Sequence, residues 1–169
     1  MTTIIEAGAD IIDVRDIIAR VEKLREDRAD LQSTLESAEE DATAMSDALP
    51  DTGDQEALDD AIQASKNALQ ASRDWDDGED AKELETLEEL LSNLCGYGGD
   101  EQWEGDWYPV TLIHENYFTQ HAQELADDIG AVDRDAKWPN THIDWEAAAE
   151  DLKQDYSTVE FEGNTYYYR

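Results

Sequence analysis

The chain has 169 residues, with 44 Asp and Glu against 12 Lys and Arg, for a net charge of −32. Like charge at that density opposes compaction and repels both nucleic acid and anionic lipid, so direct binding to either is not expected. Five Trp, seven Tyr and 40% hydrophobic residues argue against a wholly disordered acidic chain, and the single Cys95 excludes a disulfide framework, in keeping with a reducing cytoplasm.

The N-terminus, MTTIIEAGADIID, lacks the basic start and apolar stretch of a signal peptide. No run approaches the ~20 apolar residues of a membrane span. Residues 14–49 hold a heptad: Val14, Ile17, Val21, Leu24, Arg28, Leu31, Leu35, Ala38, Ala42, Met45 and Leu49 alternate at steps of three and four. Arg28 interrupts the seam, where a polar residue fixes register at some cost in stability. The pattern predicts a helix over about 13–48, roughly 53 Å long. Its outward positions are acidic, and Pro50 with DTGD predicts its end.

A second helix is predicted from Gln55 to about Trp75, with Leu58, Ile62, Ala68 and Leu69 facing inward. DDGED (76–80) predicts a break, and a third helix follows over Ala81–Leu94 with Leu84, Leu87, Leu91 and Leu94 at heptad spacing. Residues 1–95 thus read as an elongated, coiled-coil-like antiparallel helical hairpin or bundle. The four glycines of 96–106 read as a linker.

Residues 107–169 read as a small α+β domain. A strand is expected over Tyr108–Ile113 and a helix over Glu115–Ile129, ended by Gly130. A further helix over Asp144–Gln154 takes Asp144 as its N-cap, and STVEFEGNTYYYR reads as a closing β-hairpin turning near Glu162–Asn164. The aromatics of this region, from Trp103 to Tyr168, read as core and interface. Tyr166–Tyr168 alternate across the last strand and leave one face for a partner or a second copy.

Chemistry-bearing motifs are sparse. An EF-hand register on Gly78 places Arg73, Trp75 and Leu84 where acids are required. His114–Glu115 opens like a zincin motif, but the next histidine is His121, and Cys95 has no zinc-ligand partner. His114 and His121 read as polar residues on a helix edge, and Cys95 as a buried structural thiol. No nucleophile elbow, P-loop or dinucleotide fingerprint is present. No metal, cofactor or catalytic residue is therefore expected, and the chain does not read as an enzyme. The most basic window, 15–28, sets five bases against Asp16, Glu22, Glu26, Asp27 and the flanking Asp13, so no phosphate-binding patch exists.

The acids are spread along the chain. Net charge is −8 over residues 1–50, −12 over 51–100 and −12 over 101–169, which is not the block of a solvating tail. Duplex DNA carries one charge per ~1.7 Å of axis, so thirty-two charges match roughly 16 base pairs or about 54 Å.

The C-terminal residues add a resemblance. IDWEAAAEDLKQDYSTVEFEGNTYYYR (143–169) is similar to the end of the ArdA antirestriction proteins of plasmids, transposons and phages. Ile143, Asp144, Trp145, Ala147, Asp151, Leu152, Gly163 and Tyr166 stand at matching places, and YFTQHAQELADDIGAV (117–132) resembles the helix that precedes them. The likeness covers about residues 115–169; the family's N-terminal α/β domain is replaced here by the heptad. It implies a non-catalytic acidic DNA mimic that works as a dimer.

The expectation is a phage or mobile-element antidefence protein in the host cytoplasm. It would occupy the basic DNA-binding cleft of a type I restriction–modification complex or a CRISPR effector. The candidate mimic acids are Asp27, Asp30, Glu36, Glu39, Glu40, Asp59, Asp60, Asp76, Asp77, Glu79 and Asp80. Two alternatives remain: a phage structural or assembly protein binding through its heptad seam, and a halophile's binding domain that is acidic for solubility.

Overall fold

A computed structural model describes residues 5–133, 135 and 137–169. The fold is α+β, and it groups into two compact units. One is helical, Val21–Glu88; the other joins the residues up to Arg20 with Glu89–Arg169. This grouping differs from the division at 96–106. A short strand, β1 (Ile11–Asp13), pairs antiparallel with β4 (Thr111–His114), so the N-terminal residues are built into the sheet of the C-terminal unit. The expected linker carries a hairpin instead: β2 (Asp100–Trp103) pairs with β3 (Asp106–Tyr108) across a turn in which Glu104 and Gly105 both have positive φ. Gly99 sits where an added Cβ would lie 1.7 Å from the Tyr108 carbonyl oxygen, so only glycine permits that approach.

The mixed unit is organised by a four-stranded sheet of order β1-β4-β6-β5, with β5 at Ser157–Phe161 and β6 at Asn164–Tyr168. β5 and β6 form the expected closing hairpin. Its two-residue turn, Glu162–Gly163, has φ of 46° and 79°, the left-handed pair that matches the twist of the flanking strands. Pro109 separates the expected Tyr108–Ile113 strand into β3 and β4, because it has no N–H to give a ladder. The expected Glu115–Ile129 helix begins as a 3-10 turn at Glu115–Tyr117 and continues as α4 (Phe118–Asp128). Gly130, at φ 69°, ends it with its N–H on Asp127 O while Ala131 N–H bonds Ala126 O, a Schellman closure. α5 (Trp145–Lys153) takes Asp144 as N-cap through Ala147 N–H at 3.0 Å.

Period-two alternation sends Ile113 and Tyr167 to the sheet face where Phe118, Ala122 and Ala149 pack, with Tyr117, Leu152 and Tyr156 at the edge. Tyr167 lies 4.7 Å from the Phe118 ring centroid, so it is not left for a partner. Leu112, Tyr166 and Tyr168 take the other face and are buried as well. Trp107 and Trp138 are exposed rather than in the core.

Three helices make the helical unit: most of α1 (Val14–Thr52), α2 (Gln55–Asp76) and the first turns of α3 (Glu79–Leu94). α1 passes through Pro50 and stops at Gly53, which takes φ 67° and bonds Leu49 O at 2.8 Å. Asp54 then caps α2 through Ala57 N–H. α1 and α2 run antiparallel: Met45 and Ala57 line one groove, while Arg28 lies 5.5 Å over the Trp75 ring and 3.3 Å from Asp76. Arg28, placed by the heptad on the seam, is exposed and pairs with the C-terminal end of α2. The seam is thin beyond it. Val21, Leu24, Leu58, Leu84 and Leu87 are the buried side chains of this unit, and none of them lies on α1 past Leu24. Ile62, expected to face inward, is 37% exposed, and Met45 is 43% exposed.

Candidate functional site: an acidic helical surface

Taking about 100° per residue along α1, the half-buried Leu31, Leu35, Ala42 and Leu49 fall on one stripe. Glu22, Glu26, Glu36, Glu40, Asp47 and Asp51 fall within an arc of about 80° on the opposite side, and all are exposed. The reason is amphipathic: apolar side chains claim the face toward α2, and ionised carboxylates keep their hydration only on the other. Glu36, Glu39, Glu40 and Asp47 share one continuous surface with Thr43. The α1 segment in this unit, residues 21–52, runs about 48 Å at 1.5 Å per residue.

The candidate acids divide by their neighbours. Asp27 shares Lys23 with Glu26, each at 3.0 Å; Asp76 faces Arg28; Glu79 lies 2.9 Å from Lys82. These carboxylates already have a cation beside them. Asp77 caps α2, and its backbone N–H bonds Arg73 O. Asp80 is exposed at the start of α3 and engaged with a neighbour. Among the described residues, Asp30, Glu36, Glu39, Glu40, Asp59 and Asp60 have no cationic partner. Glu36 and Asp59 accept only from the amides of Gln32 (3.4 Å) and Gln55 (2.9 Å). The structure brings Glu36, Glu39 and Glu40 together; Asp59 and Asp60 lie on α2, and Asp76–Asp80 lie at the α2–α3 joint.

Glu22, Glu26, Asp47 and Asp51 complete the stripe and were absent from the candidate set. A signal for Asp47 and Asp51 was present in the sequence. Residues 29–65 contain 11 Asp and Glu and no Lys, Arg or His. No i±3 or i±4 cation can therefore neutralise that stretch, whatever the packing.

The other titratable groups serve the fold. His114 is a residue of β4, not of a helix, and is buried. Its Nδ1 accepts from Asn116 N–H at 3.1 Å, which makes Nε2 the donor to Asn164 Oδ1 at 3.2 Å. Asn164 Nδ2 donates to Ala7 O, and the Tyr166 hydroxyl is 2.8 Å from the same oxygen. This network ties the residues before β1 to the sheet. His121 contacts the Tyr156 hydroxyl at 3.2 Å, and burial holds it below its ordinary value. Cys95 is free and partly buried; burial, and then the Cys95 thiol, push the Tyr108 phenol up to about 12. Among the described residues, no group of His, Cys, Asp and Glu is arranged to hold a metal ion, and no helix is long and apolar enough to cross a membrane. Comparisons with protein-family models, curated proteins and solved structures found no match to this chain.

Proposed function

We propose that the chain is an acidic DNA mimic, encoded by a phage or mobile element, that blocks the DNA-binding cleft of a host defence complex. A type I restriction–modification complex is the first target, and a CRISPR effector the second. The observation that carries this reading is the base-free run 29–65 on a long helical hairpin, with Glu36, Glu40, Asp47 and Asp51 on the outward face of α1. The helical unit holds 22 acids and six bases, a net charge of −16. A duplex as long as residues 21–52 of α1 carries about 28 charges. The unit thus reaches a little over half the formal charge of that duplex, and a cleft grips a duplex over only part of its circumference. The C-terminal likeness to the ArdA proteins supports the same reading through the residues named above.

Lys and Arg that grip phosphates would meet carboxylates held at helical spacing. Complementary fields speed encounter, and the attraction weakens as salt screens it. The test is a DNA-cleavage assay with purified type I and CRISPR effector complexes, titrated with this protein at low and high salt. Inhibition that duplex DNA relieves and salt weakens is the expected result. Full cleavage by both complexes at a large excess of the protein at low salt overturns the proposal.

A further inference from the structure

We infer that the side groove between α1 and α2 is a docking site for a basic amphipathic helix of a partner protein. The groove measures about 560 Å³ and is lined by Ala38, Ala57, Ala61, Ala64 and the exposed Met45, together with Ser33, Thr34, Ser37 and Asp41 of α1. Ala38, Asp41 and Met45 lie on a different face of α1 from the outward acidic stripe, which the groove meets only at its Ser33 edge, and the inference does not rest on DNA mimicry. Two antiparallel helices normally bury a continuous seam. Here α2 has Leu58 as its buried side chain, and α1 past Leu24 has none. Apolar surface that two helices leave open is what a third helix covers.

Charge selects the occupant. Asp41 lines the groove, and by helical angle Asp30 and Asp60 flank it; residues 29–65 supply no base to offset them. A second copy of this chain would bring the same base-free acids to the same groove and be repelled. A helix with Leu or Met on one face and Lys or Arg beside it would cover the alanine floor and pair with the acidic rims. Small residues on the floor let such a helix approach closely, with Met45 as an adaptable contact.

The probe is a synthetic helical peptide of about 18 residues, about 27 Å long, with Leu on one face and Lys on the other. A scrambled peptide of identical composition is the control. Fluorescence anisotropy with the full chain, at about 0.3 M salt to suppress unspecific attraction, is expected to show binding about tenfold tighter for the patterned peptide. Met45→Ser is expected to weaken it about fivefold, and Ala61→Trp, which fills the groove, to abolish it. Circular dichroism checks that each variant keeps its helices, and Met45→Ser, at an exposed position, remains informative if Ala61→Trp disturbs the hairpin. Equal affinity for the scrambled peptide overturns the inference, because charge alone would then explain binding. So does unchanged affinity of Met45→Ser. A concentration-dependent dimer that Ala61→Trp dissolves would assign the groove to a second copy and equally overturn it.

Discussion

The two units carry the same net charge on different amounts of structure. The helical unit holds −16 on Val21–Glu88, and the mixed unit holds −16 on the remaining residues. The mixed unit buries aromatic and aliphatic side chains on both faces of its sheet, among them Phe118, Leu112, Tyr166 and Tyr168. The helical unit buries five side chains: Val21 and Leu24 on α1, Leu84 and Leu87 on α3, and Leu58 near the start of α2. The first unit has a core that can tolerate its surface charge. The second is mostly surface, and its unneutralised carboxylates dominate what it can do. In one chain, the same net charge sits on a scaffold where aromatics are dense and on a helical surface rich in alanine and acid.

The largest expected effect separates the two units by function. Reversing Glu36, Glu39, Glu40 and Asp47 to Lys together should weaken inhibition of the target complex by about a hundredfold. Each single reversal should cost only a few-fold. Near-ultraviolet dichroism, dominated by aromatics of the mixed unit, should stay unchanged; inhibition that survives the quadruple change would remove the stripe from the mechanism.

Core substitutions sharpen the contrast in stability. Phe118→Ala should cost about 3–5 kcal/mol, because the ring is fully buried among Tyr156, Tyr167 and His121. Leu35→Ala should cost about 1 kcal/mol, because its half-exposed side chain leaves no closed cavity. Denaturant titration followed by amide exchange, unit by unit, measures both. Equal costs would mean that the hairpin is packed more tightly than its burial implies.

Salt should act mainly on the helical unit. Raising ionic strength shortens the Debye length from about 30 Å at 0.01 M to about 8 Å at 0.15 M. Amide protection across 29–65 should rise accordingly, by about 1 kcal/mol, while the β4 and β6 amides change little. A protein acidic only for a saline habitat should instead lose both units together at low salt.

Capping gives a local effect in the mixed unit. Asp144→Ala should destabilise by about 1 kcal/mol, since the carboxylate accepts from Ala147 N–H at the start of α5. Thermal melts with Asp144→Asn as the conservative control measure it.

The smallest effect is a pH response. His121 is held below its ordinary 6.5, first by burial. The unfolded chain therefore binds its proton more readily. This contribution to stability is fully present above about pH 6.5 and is lost as pH falls through the lower folded value. His121→Gln should flatten the stability of the mixed unit in that window.

Local chemistry made several elements legible before any packing was known. The heptad fixed α1, Asp144 and Gly130 fixed the ends of α5 and α4, and the Glu162–Gly163 turn fixed the last hairpin. These depend on periodicity, capping and φ preference, each written within a few residues. The base-free run 29–65 was equally present in the sequence, because no tertiary contact can add a charge that the chain lacks. Tertiary structure alone decided that β1 joins β4, about a hundred residues away, since three residues carry too little pattern to name a partner strand. It decided that Pro109 divides two strands and that glycines 96–105 hold a hairpin rather than a tether. It also decided which seam positions are covered: the heptad marks a face as apolar, but burial requires a partner at each level, and past Leu24 the hairpin supplies only part of one.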